Sequence, residues 1–467
     1  MRKTIIILLT ALSWASLQAQ ISVEVPARPE NQQHAVRLTA PALDVVRVGF
    51  VGLGMRGPGA VSRWSQIEGT EIVALCDVEK ERVEAAQAIL QKNGRKKATG
   101  YYGSLDAYKK MCERKDIDII YICTDWIHHT PIALYAMEHG KHVAIEVPAA
   151  TTMEEIWALV NTSERTRKHC MMLENCVYDF FELACLQMTQ RGMFGEVLHV
   201  EGSYLHNLSD FWDEYWNNWR LDFNRQNRGD VYPTHGLGPD CQVLNIHRGD
   251  LMDYLVAMDT KPANGPHAVY EQTGKVCLDF KNGDQTSTLI RTQAGKTIIL
   301  QHDVMTPRPY SRMYQVVGTN GYASKYPREE LLFKAPSRSS EGNAAVNAGG
   351  SADQLLEAIE KSSPHVCLPD SLRDQILKEF TPQWVKDIEE KAKKVGGHGG
   401  MDYLMDYRLV YCLRHGLPLD MDVYDLAEWC CIGPLSRLSI ENGSQPVAIP
   451  DFTRGAWHES LGFDYAF

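Results

Sequence analysis

The sequence predicts an α/β N-terminal domain followed by an α+β C-terminal domain with a large, mainly antiparallel open sheet. Three observations carry this. Apolar strands alternate with amphipathic helices from about residue 45 to 173, the rhythm of βαβ units and a parallel sheet. A glycine-rich turn joins the first strand to the first helix. Beyond about residue 193 the rhythm changes to alternating strands separated by hairpin-type turns.

At the N-terminus, Arg2 and Lys3 precede an apolar run from Ile5 to Leu12, and small residues end at Ala19. This is the layout of a cleavable signal peptide over residues 1–19, too short to span a bilayer as a helix. The mature chain is therefore expected to be exported, into the periplasm of a two-membrane bacterium. Residues 20–43 are Pro-rich and polar and read as an extended leader.

The region 44–175 opens with a buried strand, Val45 to Val51. A turn, Gly52-Leu53-Gly54-Met55-Arg56-Gly57, leads into a helix reaching about Ile67. A strand from Glu71 to Cys76 ends at Asp77, and a helix runs from Val78 to about Gln91. Strands at 117–123, 142–145 and 170–173 alternate with helices at 131–139 and 153–167. In the region 176–467, strands are expected at 196–204, 269–280, 286–292, 296–302 and 313–317. Asn282-Gly283 and Ala294-Gly295 supply turns. Residues 337–353 are rich in Ser, Gly, Ala and Asn and read as a surface loop. Met405, Leu409, Cys412 and Leu413 recur at helical spacing.

Composition limits the function classes. Hydrophobic residues at 44% and charged residues at 23% exclude a disordered or collagen-like chain. A net charge of −11 gives no global drive toward nucleic acid or an anionic membrane. Outside the leader no apolar segment is long enough to span a bilayer. The twelve cysteines include no C-x-x-C and only one close pair, Cys430-Cys431, so most read as buried thiols. His128-His129 lacks a third ligand at metal-site spacing, and no H-E-x-x-H occurs, so no metal is expected.

The glycine turn has the context that a dinucleotide site needs: a strand before it, a helix after it, and an acidic residue on schedule. Gly52 permits the tight turn, Gly54 lets a pyrophosphate approach the backbone, and Gly57 permits close helix–strand packing. The helix N-terminus offers N–H groups to phosphate. Asp77 lies 20 residues beyond Gly57. A carboxylate there accepts from a ribose 2′-hydroxyl and repels a 2′-phosphate, which favours NAD over NADP. The region is thus a Rossmann domain.

Two further segments extend the reading: Glu146-Val147-Pro148 after the fifth strand, and Trp219-Arg220 followed by Gly229 to Gly236, which contains Tyr232-Pro233-Thr234-His235. With the glycine turn they resemble the glucose-fructose oxidoreductase and inositol dehydrogenase superfamily. The closer resemblance is to glycoside hydrolase family 109, the NAD-dependent α-N-acetylgalactosaminidases, and it extends through Gly396 to Asp402. Ordinary superfamily members carry Glu-Lys-Pro where this chain has Val147, so the lysine that works beside the nicotinamide is missing. That departure favours the hydrolase over the alternative, an NAD-dependent sugar or cyclitol dehydrogenase.

The resemblance implies removal of terminal α-linked N-acetylgalactosamine from a glycan or small glycoside. Its route is transient oxidation at C3, deprotonation at C2, elimination, water addition and re-reduction, unlike two-carboxylate hydrolysis. It implies that Met55, Arg56 and Asp77 contact the adenosine and phosphate side of NAD. Trp126, Ile127, His128 and His129 would line the cofactor, and Glu146, Val147 and Asn175 would approach the nicotinamide end. Tyr204, Arg220, Tyr232, Pro233, Thr234, His235 and Tyr314 would form the sugar pocket, with Tyr232 touching both ligands. His235 and Tyr232 are the expected catalytic pair, because an imidazole is suited to taking a hydroxyl proton. A homo-oligomer is a superfamily expectation.

Overall fold

The computed structural model describes residues 20–334, 359 and 365–467. The signal-peptide pattern and the loop read at 337–353 lie outside the described residues. The first sheet contains β1 (Val46–Val51), β2 (Thr70–Cys76), β3 (Thr99–Tyr101), β4 (Ile119–Ile122), β5 (His142–Ile145) and β6 (Cys170–Met172). Their order is β3-β2-β1-β4-β5-β6, all parallel. β4 and β5 are buried throughout, which is why they read as unbroken apolar runs. The helices α1 (Gly57–Trp64), α2 (Lys80–Lys92), α3 (Ala107–Cys112), α4 (Trp126–Glu138) and α5 (Met153–Thr166) connect the strands. Strand order reverses between β1 and β4, so a crevice opens at the carboxyl ends of these two strands.

Helix α4 starts five residues earlier than the expected 131. Asp125 caps it by accepting from the His128 N–H, and Pro131 is taken into the helix interior. Residues 126–129 are therefore helical, and their side chains cannot all face one way.

The C-terminal region supplies α6 (Phe180–Gln190), β7 (Val197–Leu205), α7 (Trp219–Gln226), α8 (Thr234–Val243), β8 (Met252–Asp259), α9 (Asn264–Thr273), β9 (Thr286–Thr292), β10 (Thr297–Asp303), β11 (Gln315–Gly318), β12 (Gly321–Ser324), β13 (Glu330–Phe333) and β14 (Val447–Ala448). Its eight-stranded sheet has the order β13-β12-β11-β7-β10-β9-β8-β14, antiparallel except for the β7–β10 pair. In β9, Thr286, Thr288, Ile290 and Thr292 are buried while Ser287, Leu289 and Arg291 are exposed, so one face is covered and the other open. Helix α8 lies directly on β7. A Cβ at Gly236 would sit 2.3 Å from the Ser203 nitrogen, and one at Gly202 would sit 2.4 Å from the Gly236 oxygen. Only this glycine pair lets the two backbones meet, and the contact sets the start of α8 over Tyr204.

Two expectations fail here. The strand expected at 269–280 is instead helix α9 followed by a stretch without strand pairing. The Asp284 carboxylate accepts from the Ala263 and Asn264 N–H groups at the helix start, and Gly274, at φ +68°, ends it. Those local terms outweigh the β-prone Val269 and Tyr270. The strand that pairs with β9 is β8, which the sequence reading missed.

Five helices close the chain: α10 (Asp370–Glu379), α11 (Gln383–Val395), α12 (Met401–His415), α13 (Val423–Cys430) and α14 (Ile432–Glu441). Helix α12 returns to the first sheet, where Asp406 accepts from Arg63 (2.7 Å) and Tyr121 (2.9 Å). The leader is tied down at both ends, by Ile21 bridging to Val447 and by Arg28 donating to Glu164 and to the Thr453 carbonyl. All twelve cysteines are free thiols, and all but Cys123 and Cys367 are buried. No helix among the described residues is long and apolar enough to cross a membrane.

Candidate active site

Two cavities adjoin at the carboxyl ends of β1 and β4. The first, about 950 Å³, is lined by Gly52, Gly54, Asp77, Arg82 and His128. The second, about 990 Å³, is lined by Glu146, Asn175, Tyr204, Arg220, Tyr232 and His235. Met55, Arg56, Thr124, Tyr215 and Trp219 line both, so they form one continuous cleft.

The first half fits a dinucleotide. Gly52 has φ +86°, and a Cβ there would meet the Cys123 carbonyl at 2.6 Å. A Cβ on Gly57 would sit 2.1 Å from the Gly52 oxygen, which makes α1 inseparable from β1 without glycine. A Cβ at Gly54 would meet nothing nearer than Arg82 Nη1 at 3.5 Å, so this backbone faces open space. Asp77 is fixed at the end of β2, where Leu53 N donates to Oδ2 (2.6 Å) and Glu79 N donates to Oδ1 (2.9 Å). His128 pairs through Nδ1 with Asp125 (2.5 Å), which raises its pKa.

At the second half, His235 stands on the first turn of α8. Its Nδ1 lies 2.6 Å from Glu174 Oε1 and its Nε2 lies 3.2 Å from the Tyr232 hydroxyl. Burial lowers the His235 pKa, outweighing the opposing pull of Glu174. Burial would raise Glu174, but His235 beside it holds the carboxyl below its usual range. Both shifts describe a carboxylate beside a neutral imidazole. Nδ1–H then donates to Glu174, and the Nε2 lone pair faces Tyr232. Burial keeps Tyr232 a neutral phenol.

Arg220 is buried among rings. Its guanidinium lies 4.6 Å from the Tyr232 ring centre and 5.2 Å from those of Trp126 and Tyr215. Tyr215 accepts from Nη1 at 2.5 Å, while Nε is buried with no hydrogen-bond partner. Its cation–π contacts disperse the charge without neutralising it. Trp126 donates to the Val147 carbonyl (3.1 Å) and stacks on Tyr232. Val147 lines the cavity, and among the described residues no lysine does.

Four expected site residues sit elsewhere. Ile127 is 59% exposed and lines neither half of the cleft, because its helical position turns it outward. Tyr314 is 2% exposed and packs edge-on against Phe181 of α6, on the covered face of the sheet. Tyr310 is the nearby ring on the cleft side: it packs against His206 and accepts from Arg312 at 2.5 Å. Pro233 lines a separate groove with Arg228 and Arg437. Thr234 is fully buried and lines neither half. His129 does reach the cleft, but its ring bridges the Thr124 and Pro148 carbonyls at 3.0 and 2.9 Å, pinning two loops.

Sequence reasoning missed Glu174 and Asp402. Asp402, at the start of α12, accepts from Asn175 Nδ2 (2.5 Å) and Arg56 Nη2 (3.2 Å) and pairs with His398 Nδ1 (3.0 Å). Burial would raise its pKa, but the bond to His398 and the guanidinium groups of Arg56 and Arg63 hold its carboxyl far below the usual range. Arg56 also donates to Glu146 (3.1 Å). Helix α12 is thereby clamped to the glycine turn and to the Glu146 and Asn175 side of the second cavity.

Comparison with known proteins decides the family. The model of the glycosyl hydrolase 109 C-terminal domain matches residues 178–459. That of the oxidoreductase NAD-binding Rossmann fold matches 46–174. Glycosyl hydrolase family 109 protein 1 of Bacteroides thetaiotaomicron is 63% identical over 96% of this chain and 93% of its own length. A glycosyl hydrolase family 109 protein of Porphyromonas gingivalis is 60% identical over 96% and 93%. The chain belongs to glycoside hydrolase family 109. It is a glycoside hydrolase that uses NAD. Among solved structures, a levoglucosan dehydrogenase in complex with NADH matches with TM-score 0.62 and 16% identity over 87% of this chain and 99% of that one. The WlbA dehydrogenase of Bordetella pertussis, with NADH and UDP-GlcNAcA, matches with TM-score 0.61 and 15% identity over 88% and 100%. At such identities the likeness is one of fold.

Proposed function

We propose that this family 109 enzyme removes terminal α-linked N-acetylgalactosamine by transient oxidation of the sugar. The observation that carries the reading is the Glu174–His235–Tyr232 relay, which opens into a cavity that also holds a buried arginine and, among the described residues, no lysine.

Asp77 and the Gly54 backbone would hold the adenosine and pyrophosphate side of NAD, and Glu146 and Asn175 the nicotinamide end. When bound, NAD supplies a reversible two-electron oxidation at the sugar C3. His235 Nε2 takes the hydroxyl proton at that carbon, because Nδ1 is occupied by Glu174 and burial keeps the ring neutral. Glu174 fixes the tautomer and balances the imidazolium that forms, as a buried carboxylate does in a catalytic triad. Tyr232, bonded to Nε2, passes that proton out of the relay, and the neutral His235 ring can then accept the C2 proton and return it to the departing glycosidic oxygen. Arg220 faces the same cavity and stabilises negative charge that develops on the substrate after the C2 proton leaves. The 1–19 sequence pattern supports a further proposal, that the protein is exported.

Turnover of a chromogenic α-N-acetylgalactosaminide in D2O, without added cofactor, tests the reading by proton NMR of the released sugar. Cleavage with deuterium at C2 is expected. No cleavage of that glycoside by NAD-loaded protein overturns the substrate assignment. Cleavage with hydrogen retained at C2 overturns the elimination route. Stoichiometric NADH release with free sugar would identify a dehydrogenase instead.

A further inference from the structure

A second polar cluster lies on another wall of the molecule. A cavity of about 970 Å³ is enclosed by the leader at Ala35 to Leu38, the tail at Ser460 to Tyr465, and the start of α13. His247 projects toward it from the turn after α8. Its backbone is in the left-handed region at φ +44°, and its N–H donates to the Asp250 carbonyl. Its Nδ1 lies 2.8 Å from Glu428 Oε2. Its Nε2 is buried and makes no hydrogen bond. The nearest carboxylate oxygens to Nε2 are Asp422 Oδ1 at 3.4 Å and Asp425 Oδ1 at 3.8 Å.

This is the arrangement of a metal-binding imidazole. One ring nitrogen is fixed by a carboxylate behind it, and the other is buried beside an acidic oxygen without a hydrogen bond. Against burial and Arg248, the carboxylates of Glu428, Asp425 and Asp422 raise the His247 pKa to about 10, so the metal would displace the Nε2 proton. The 3.4 Å separation suits two ligands of one ion, each about 2.1 Å from it. Asp425 is already held by both Arg248 terminal nitrogens at 2.8 Å, so its charge is spent. Asp422 is paired with no arginine, lines the cavity and is partly exposed. Arg37 and Arg408 in the cavity wall are each paired, with Asp464 and Asp420.

We propose that His247 Nε2 and the Asp422 carboxylate bind a divalent transition metal of the zinc class, with water completing the shell. The ion would join the turn after α8 to the start of α13 and leave the catalytic cleft untouched.

The NAD-loaded enzyme, freed of metal with a chelator, would be titrated with Zn²⁺ by calorimetry, and its bound metal counted after gel filtration. A parallel Co²⁺ titration would read visible absorption. One equivalent per chain, a higher melting temperature and a cobalt spectrum of nitrogen–oxygen coordination are expected. His247→Gln should abolish binding. Asp422→Asn should weaken it at least tenfold while keeping the helix cap, since Asn caps as well as Asp. Asp422→Asn decides the matter if His247→Gln does not fold. His235→Asn should bind metal as the wild type does. Failure of wild type to hold Zn²⁺ overturns the proposal, as does undiminished binding by Asp422→Asn. So does loss in His235→Asn alone, which would move the ion to Glu174, Cys176 and His235, the other such group among the described residues.

Discussion

The two ends of the cleft are built differently. At the dinucleotide end the main chain does most of the work. Gly52, Gly54 and Gly57 shape a turn, and Asp77 is aimed by two backbone N–H groups. At the sugar end side chains dominate. Glu174, Tyr204, Arg220, Tyr232 and His235 come from segments more than 60 residues apart at the extremes, and they converge because α8 packs on β7 through two glycines. A backbone-built site tolerates changes that keep the chain path. A side-chain-built one depends on each functional group. The cofactor end should therefore fail by losing NAD, and the sugar end by losing turnover with NAD retained.

The largest effect is expected from His235→Ala. Removing the base should lower kcat by about 10³-fold while bound NAD, counted after denaturation, stays at wild-type occupancy. Loss of NAD in this variant would break the contrast between the two ends. Glu174→Gln should lower kcat by about 10²-fold. It also carries a pH signature. Glu174 raises the His235 pKa, and activity needs the neutral ring. Without that charge the acidic limb of the kcat–pH profile should move to lower pH; an unmoved limb would make Glu174 merely structural. Asp77→Asn should weaken NAD binding about tenfold and narrow the preference over NADP, with kcat at saturating NAD close to wild type.

The smallest effect sharpens the sugar end. Asp230, just before Tyr232, is buried, which pushes its pKa up to about 7. Its Oδ1 accepts from the Tyr232 N–H, and its Oδ2 has no partner. The folded state therefore holds a proton that the unfolded state releases near pH 3.8. Stability should fall as pH rises from about 4 to 7 and stay lowered above that. Asp230→Asn keeps the acceptor and removes the charge. It should raise the melting temperature by about 2 °C or more at pH 8 and leave it unchanged near pH 4, read by calorimetry at both values.

The same contrast explains what the sequence disclosed. The parallel sheet was legible because doubly buried strands are continuous apolar runs and each βα turn is short. Gly52 to Gly57 and Asp77 were legible because a backbone site leaves a local motif. The second sheet was legible as a class but not strand by strand. β8 went unread, and α9 was read as strand, because caps from Asp284 lie 20 residues away in sequence. Glu174 left a faint signal, an acid just past the end of β6, where α/β sheets place ligands. Asp402 left another: Gly396, Gly397, Gly399 and Gly400 around His398 all have positive φ, a backbone that other residues rarely adopt. Tyr314 was misplaced because it lies just before β11, in a connection whose path the strand pattern does not set, and its ring turns in against Phe181.

The turns Trp212–Glu214 and Trp216–Asn218 lead into α7, and Glu214, Tyr215 and Trp219 from this stretch line both halves of the cleft. Trp216 lies over the Arg82 guanidinium on the far side. One short segment thus roofs the whole length of the groove. A dinucleotide lying in the groove would meet this segment along its length, so removing its rings should shorten the cofactor's dwell time. Under the proposed route NAD ends each cycle as it began, and so would have no need to leave. If the protein is exported as proposed, a cofactor it already holds spares it the search for another.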